Sequence, residues 1–298
     1  MSIALQVALV MVTILVVLLV IGAPIGVAIG MSSAVSMICM IPADVSFATS
    51  AQRIFAGSNS FSLIAIPFFI LAGNIMNNGG IATRLVNCAK VISGRMPGAL
   101  AQSNVVANML FGAISGSGAA AAAAMGGTIG PLEEKEGYDK NYSTAVNVAS
   151  APVGMLIPPS NTMIVYSSVA GSVSIAALFM AGYIPGLLWG GAVMILAGIM
   201  AKKRGYQAEQ RVPVKVALKT FWQAIPSLLL IVIVIGGILG GIFTATEGSA
   251  IAVVYATVLS LIYKAFKIKD IPRIVLEAAK TTGIITFMIG LSSIMSWA

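Results

Sequence analysis

Apolar residues in this chain are gathered into long runs that short polar segments separate. A helix that crosses a membrane needs about 20 mostly apolar residues. Runs near that length predict spanning helices at 3–22, 24–41, 61–77, 175–200, 222–243, 248–263 and 281–298, with a further, interrupted span at 143–170. The segment 98–132 differs, because it holds two shorter apolar runs that meet at Ser115-Gly116-Ser117-Gly118. The pattern therefore predicts an all-α polytopic membrane protein.

The composition supports that class and excludes others. Of 298 residues, 58% are hydrophobic and 9% are charged, and the mean hydropathy is +1.00. An ordinary soluble domain carries about a quarter charged residues. The absence of histidine excludes a His-based catalytic or metal site, and Cys39 and Cys88 indicate no disulfide framework. An enzyme acting within the membrane is the least favoured class, because no Asp or Glu lies in a predicted span.

The basic residues predict an orientation. We suppose that the N-terminus is outside and that 98–132 is a hairpin that enters and leaves on one side. The segments 79–97, 133–142, 201–221 and 264–280 then lie inside, and Arg53 is the single outside base among 17 Lys and Arg residues. An ordinary crossing at 98–132 would place the later basic loops opposite 79–97. The charges therefore favour the re-entrant hairpin, and the run 133–136 is expected to form a solvated inner loop.

Two places interrupt a helix at membrane depth. The first is the hairpin tip, Gly112–Gly118, and the second is the segment Gly154–Thr162. Pro158 and Pro159 remove two N–H donors there and stop the preceding helix, and the Ser-Asn-Thr sequence that follows can cap a new one. A bilayer tolerates non-helical backbone only where it is buried in protein or lines a wet cavity.

The chemistry of such breaks favours ions. Helices that end near Ile114 and Ile157 direct carbonyl oxygens into the breaks, which suits Na⁺, whereas helices that begin near Ala119 and Asn161 direct N–H groups there, which suits a carboxylate. Neither break contains an ionisable side chain, which argues against a proton relay. Tight helix packing through small residues explains the tip alone equally well, but the two breaks together favour a binding site.

A weak internal repeat links the two ends of the chain. At an offset of 220 residues, 3–22 and 24–41 meet 222–243 and 248–263, and 61–77 meets 281–298. The predicted orientations of the two units are opposite, which is typical of secondary transporters. The counterparts of the two breaks would lie beyond Ala298, so we expect the second repeat to be truncated.

A series of motifs runs along the chain: Ala65–Asn74, Met109–Ser117, Lys135–Asp139, Ile157–Ser160, Ala181–Leu188, Ala201–Tyr206 and Gly241–Thr244. In this order they resemble the large membrane subunit of TRAP (tripartite ATP-independent periplasmic) transporters, of the DctM or SiaM type. The resemblance covers essentially the whole chain. It implies an elevator-type, inverted-repeat, Na⁺-coupled importer of an organic acid.

The resemblance also implies partners and a location. The partners are a small membrane subunit of the DctQ or SiaQ type and a periplasmic binding protein of the DctP or SiaP type, with no nucleic acid. The location is the bacterial inner membrane, with multiple passes and a periplasmic N-terminus. Sialic acid is the first expected substrate, because the sequence of 154–161 resembles that of sialic-acid members more than that of dicarboxylate members.

The resemblance divides the chain into four parts. We expect scaffold helices at 1–60, a transport part at 61–172 with the hairpin 98–132 and the broken helix 143–170, a connecting helix and cytoplasmic loop at 173–221, and the start of the second repeat at 222–298. Glu247 is expected to cap the helix that follows it, with a docking role as the alternative.

The family's site residues carry over to named positions. The coupling ion Na⁺ is expected to bind, mostly through backbone oxygens, at Ser115, Ser117, Gly118, Gly154, Ile157, Pro159 and Ser160. Asn161 and Thr162 are expected to face the substrate. Many members have an Asp shortly after the tip where this chain has Ala119–Ala122, so no role of that Asp carries over.

Two other functions stay open on the sequence. A single-component Na⁺/carboxylate elevator transporter, for example of dicarboxylates, would need no binding protein. A non-transporting membrane scaffold subunit would show no Na⁺-dependent ligand binding.

Overall fold

The computed structural model describes residues 3–171, 173–206, 213–265 and 267–297, and within these ranges it contains helices and no strand. The α-helices are α1 (Ile3–Val20), α2 (Ile25–Met37), α3 (Ala43–Ser58), α4 (Ala65–Asn78), α5 (Ile81–Ser93), α6 (Ala99–Ser115), α7 (Gly118–Thr128), α8 (Gly130–Lys135), α9 (Lys140–Ser150), α10 (Val153–Leu156), α11 (Asn161–Ala170), α12 (Ile175–Lys203), α13 (Val214–Leu239), α14 (Ala245–Ile262) and α15 (Ile271–Met295). Short 3₁₀ turns, Phe61–Ile64 and Ile268–Asp270, precede α4 and α15. The predicted all-α class is confirmed.

Several helices are long and apolar enough to cross a membrane. In the described ranges these are Phe61–Asn78, Ile175–Lys203, Val214–Leu239, Ala245–Ile262 and Ile271–Met295. The pair Lys140–Leu156 and Asn161–Ala170, bent by 47°, forms one more if it counts as a single broken span. Helices α1 and α2 are apolar but shorter. The chain is a polytopic membrane protein.

Some helices extend beyond the apolar runs that predicted them. Helix α3 lies in a segment that the pattern assigned to a connection, and α13 and α15 begin at Val214 and Ile271, ahead of runs starting at 222 and 281. Their added turns carry charges that remain in solvent, such as Arg273, whose Nε lies 3.9 Å from Glu277 Oε1 one turn later. Apolarity marks the spanning part of a helix and not its ends.

The chain divides into two compact units. One contains the described residues up to Leu63 and those from Ala279 onward; in it α2 packs against α1 and α3, and Met37, Leu291 and Ile294 are buried together. The other unit, Ile64–Ala278, contains all residues predicted to bind Na⁺ or substrate.

The second unit is organised around α6. Helices α4, α5, α7, α9, α10 and α12 all pack against it, and α14 packs along α4 while α13 packs against α5 and α14. Behind α6, the ring of Tyr138 stacks on that of Tyr206 with centroids 4.3 Å apart, and Tyr142 Oη donates to the Ala197 carbonyl at 2.8 Å. Two of the motifs, 135–139 and 201–206, thus meet at the base of the hairpin that α6 and α7 form.

Candidate functional site

The hairpin tip is built by a glycine and a capping serine. Helix α6 ends at Ser115, and Gly116, at φ 62°, adopts the left-handed conformation that glycine tolerates best. A Cβ at Gly116 would also lie 2.9 Å from the Pro159 carbonyl oxygen. Ser117 then caps α7, because its Oγ accepts a hydrogen bond from Ala120 N at 3.3 Å. The chain reverses within two residues.

The second break separates α10 from α11. The Pro158–Pro159 peptide is cis, and both prolines are buried. Ser160 caps α11: its Oγ accepts from Met163 N at 3.4 Å and donates to the carbonyl oxygen of Met155, at the end of the preceding helix. The break is therefore closed by its own serine, as the sequence predicts.

The two breaks lie against each other. Asn161 N donates to the Gly116 carbonyl at 3.2 Å, and Asn161 Nδ2 lies 3.5 Å from the Ser115 carbonyl oxygen. One turn further from the tip, a Cβ added to Gly112 would lie 2.2 Å from Gly154 Cα. The pair of glycines lets the backbones of α6 and α10 touch, and the contact brings both broken segments to one place.

The predicted site residues differ in exposure. Those that are buried are Ser115, Gly118, Gly154, Ile157, Pro159, Ser160 and Asn161. Ser117 is half-buried and Thr162 is exposed in the first turn of α11. Gly118 lies beside Ala151, whose carbonyl oxygen would be 2.9 Å from an added Cβ. The expected roles of these residues in binding Na⁺ and substrate stay predictions.

The polar groups where the two breaks meet are uncharged. The C-terminal ends of α6 and α10 and the N-terminal ends of α7 and α11 converge here, and residues 112–118 and 154–162 carry no charge. Asn161 Oδ1 is buried and has no hydrogen-bond partner among the described residues. An unpartnered buried acceptor costs about 1–3 kcal/mol, so a cation or a donor group that reached it would be stabilised.

Two further helices form the walls of the site. On α4, a Cβ at Gly73 would lie 3.0 Å from Ser115 Cβ. On α12, Gly182 lies against the Leu156 carbonyl oxygen and Gly186 against the Ile157 side chain. These glycines belong to the motifs 65–74 and 181–188. The two motifs are far apart in sequence, but they line one site from different helices.

Sequence reasoning missed a buried amide network beneath the tip. Asn108 Nδ2 lies 2.9 Å from Asn104 Oδ1, 3.0 Å from Asn147 Oδ1 and 2.8 Å from Ser150 Oγ. Asn147 Nδ2 in turn donates to the Ala122 carbonyl at 2.9 Å. The network joins α6 to α9 and α9 to α7. Asn104 and Asn108, four residues apart in an apolar helix, were the feature of the sequence that could have predicted this network.

At Glu133 the structure contradicts the prediction of a solvated loop. The acidic run 133–136 suggested a solvated loop, but Glu133 is 1% exposed and lines a cavity of about 310 Å³. Burial raises the pKa of its carboxyl to about 7, against the smaller lowering by the side chains of Ser143 and Asn104. Glu134, its neighbour in sequence, is exposed. The sequence shows the charges but not that α8 turns one of them inward.

Comparison with known proteins agrees with the motifs. The family model for the tripartite ATP-independent periplasmic transporter, DctM component, matches residues 12–298. An uncharacterized protein, YgiK, of Salmonella typhimurium is 51% identical over 90% of this chain and 61% of its own length. The C4-dicarboxylate TRAP transporter large permease protein DctM of Rhodobacter capsulatus is 37% identical, over 81% of this chain and 58% of its own.

A third relative carries a different substrate in its name. The sialic acid TRAP transporter large permease protein SiaM of Vibrio cholerae is 37% identical over 83% of this chain and 58% of its own length. The chain thus spans about three-fifths of the length of these relatives. The family match over nearly the whole chain is decisive: the chain belongs to the DctM family, the large permease components of TRAP transporters.

Proposed function

We propose that this chain is part of the large permease subunit of a Na⁺-coupled secondary transporter that imports an organic acid. The observation that carries the proposal is the contact of the two breaks, in which Asn161 N donates to the Gly116 carbonyl at 3.2 Å. Helix ends of both polarities meet there in one compact unit. Such a junction can hold a cation and an anionic substrate side by side.

The Na⁺ ion is proposed to bind at the C-terminal ends of α6 and α10. Its ligands are the oxygens of Ser115, Ser117, Gly118, Gly154, Ile157, Pro159 and Ser160. Na⁺ suits this set because the oxygens are neutral and most of the residues are buried, so the ion would replace its water shell with fixed dipoles. Asn161 Oδ1, which has no partner in the described residues, is a further oxygen within reach of the same junction.

The substrate is proposed to present a carboxylate to the N-terminal turn of α11, where Asn161 and Thr162 lie. Backbone N–H groups and the positive helix end favour an anion there. Sialic acid is the first candidate substrate. Relatives named for C4-dicarboxylate are 37% and 42% identical to this chain and the relative named for sialic acid is 37% identical, so a dicarboxylate is the second substrate to be tested.

The proposed assembly follows from the family. It contains the small membrane subunit and a periplasmic binding protein that delivers the acid. The permease lies in the inner membrane with its N-terminus in the periplasm, because the basic segments then face the cytoplasm. The weak repeat at an offset of 220 residues supports inverted halves, and the family resemblance supports an elevator-type movement of the transport part, residues 61–172.

Uptake into proteoliposomes tests the proposal. The large subunit and its small partner are reconstituted, and radiolabelled sialic acid is offered with or without the binding protein and with or without an inward Na⁺ gradient. Uptake that needs both supports the proposal. Uptake with Na⁺ alone would identify a single-component carrier. Absence of uptake would reject sialic acid, and if C4-dicarboxylate and Na⁺-dependent ligand binding also failed, a scaffold subunit would replace the transporter.

A site variant tests the assignment of residues. Asn161→Ala removes the amide that contacts the Ser115 carbonyl and the unpartnered Oδ1, so we expect uptake to fall at least tenfold and its Na⁺ dependence to shift to higher concentration. Asn141→Ala, at an exposed position of α9, is the matched control and keeps full uptake. Equal uptake by both variants would remove Asn161 from the site.

A further inference from the structure

The cavity beside Glu133 lies in the unit that carries the candidate site, but none of the residues proposed to bind Na⁺ or substrate lines it. Four segments of that unit line it. The lining residues that the proposal uses are Asn104 of α6, Glu133 and Glu134 of α8, Tyr138, and Lys140 and Ser143 of α9. The proposed binding of Na⁺ and substrate does not account for this cavity.

Polar atoms in this cavity have no partner. Both carboxyl oxygens of Glu133 are buried and form no hydrogen bond among the described residues. The same holds for Asn104 Nδ2 and Ser143 Oγ, although both side chains face the carboxyl. A buried carboxylate without a paired charge is costly. Such a carboxylate usually takes up a proton and becomes neutral instead.

The charged and titratable groups around Glu133 do not supply a counter-charge within the protein interior. Glu134 on its own helix carries the same sign and is exposed. From α9, Lys140 lines the cavity but is also exposed, so solvent screens it. Tyr138 and Tyr142 lie nearby and bring no basic group, and the lining residues of α6 and α7 are uncharged.

We propose that Glu133 is a proton-binding site, in which the protonated carboxyl is held by Asn104 and Ser143. A protonated carboxyl has one O–H donor and one carbonyl acceptor. The O–H can donate to Ser143 Oγ while the carbonyl oxygen accepts from Asn104 Nδ2, so the protonated group can satisfy these atoms without leaving a charge buried. Asn104 also accepts from Asn108 at 2.9 Å, which ties the proton site to the amide network of α6, α7 and α9.

The pKa of the Glu133 carboxyl lies near neutral pH. The carboxyl pKa is raised to about 7 from its usual value of 4.5, mainly by burial. A raised pKa means that the folded state holds the proton more tightly than the unfolded state. The stabilisation is complete below the unfolded pKa and is lost as pH rises through about 7.

Infrared spectroscopy of the purified permease in lipid nanodiscs tests the site directly. The carbonyl stretch of a protonated carboxylic acid, separate from the amide bands, is followed from about pH 5 to about pH 9. We expect a band that disappears near the pKa of about 7. The band is absent in Glu133→Gln and unchanged in Glu134→Gln, the matched control at the exposed neighbour. The same band in Glu133→Gln as in the wild type would overturn the proposal.

Thermal unfolding gives a second readout. The melting temperature of the wild type and of Glu134→Gln should fall as pH rises through about 7, in excess of any fall in Glu133→Gln, whose amide cannot ionise. Glu133→Met is the second variant if the glutamine does not fold, because it also removes the charge while filling the space. Parallel pH profiles for the wild type and the neutral variants would contradict a proton at this site. The test does not depend on transport, so its outcome is separate from that of the proposed function.

Discussion

At the scale of single residues, the contact of Gly112 with Gly154 determines how closely α6 and α10 approach. Gly112→Ala would place its Cβ 2.2 Å from Gly154 Cα, and because that neighbour is backbone it cannot move aside as a side chain would. Overpacking of this kind costs about 1–3 kcal/mol. We therefore expect a lower melting temperature in detergent and a loss of uptake, since the two breaks would be forced apart.

Gly127→Ala is the matched control for this prediction. Gly127 lies on α7 with nothing within 4 Å of an added Cβ. Replacing a helical glycine by alanine where it fits stabilises by about 0.4–1 kcal/mol. A melting temperature that changed equally in both variants would show that the close approach of Gly112 and Gly154 does not matter.

The sequence predicted some residues of this region well and others poorly, for physical reasons. The helix break at Gly112–Gly118 and the cap at Ser160 follow from local chemistry, because glycines permit a sharp turn and a pair of prolines stops a helix wherever they lie. The burial of Glu133 could not be predicted in this way. It depends on how α8 packs against α6 and α9, which is a property of the tertiary structure and not of the acidic run.

At the scale of elements, α14 begins with a capping box. Thr244 Oγ1 accepts from Glu247 N at 3.3 Å, and Glu247 Oε2 accepts from Thr244 N at 2.7 Å. The predicted capping role of Glu247 is confirmed. Because α14 packs along α4, and α4 contacts Ser115 through Gly73, this cap supports one wall of the candidate site.

Thr244→Ala tests the contribution of that cap. Loss of an N-cap side chain costs about 0.5–2 kcal/mol, so we expect a lower melting temperature, measured by intrinsic fluorescence. Thr220→Ala in α13 is the control. Among the described residues, Thr220 Oγ1 donates to the carbonyl of Val216 one turn earlier, at 3.0 Å, and its loss should change stability by less than about 0.5 kcal/mol. A control as unstable as Thr244→Ala would reject the capping argument.

At the scale of the whole molecule, the distribution of charge sets the orientation in the membrane. Lys203 at the end of α12 is exposed and follows Lys202 directly, whereas the segment after α3 that contains Asn59 has no base. Basic loops remain on the cytoplasmic side during insertion. Lys203 is therefore expected inside and Asn59 outside. These opposite locations depend on the re-entrant hairpin, because one additional crossing between the two positions would place them on the same side.

Cysteine labelling in intact and permeabilised cells tests this topology. The chain's own thiols, exposed Cys39 and buried Cys88, are first replaced by alanine, and Asn59→Cys and Lys203→Cys are then introduced separately. A maleimide that cannot cross the inner membrane should label Asn59→Cys in cells with a permeable outer membrane. It should label Lys203→Cys only after the inner membrane is opened. Labelling of both in closed cells would place an odd number of crossings where the hairpin is predicted, and the re-entrant hairpin and the inside position of Lys203 would then be wrong.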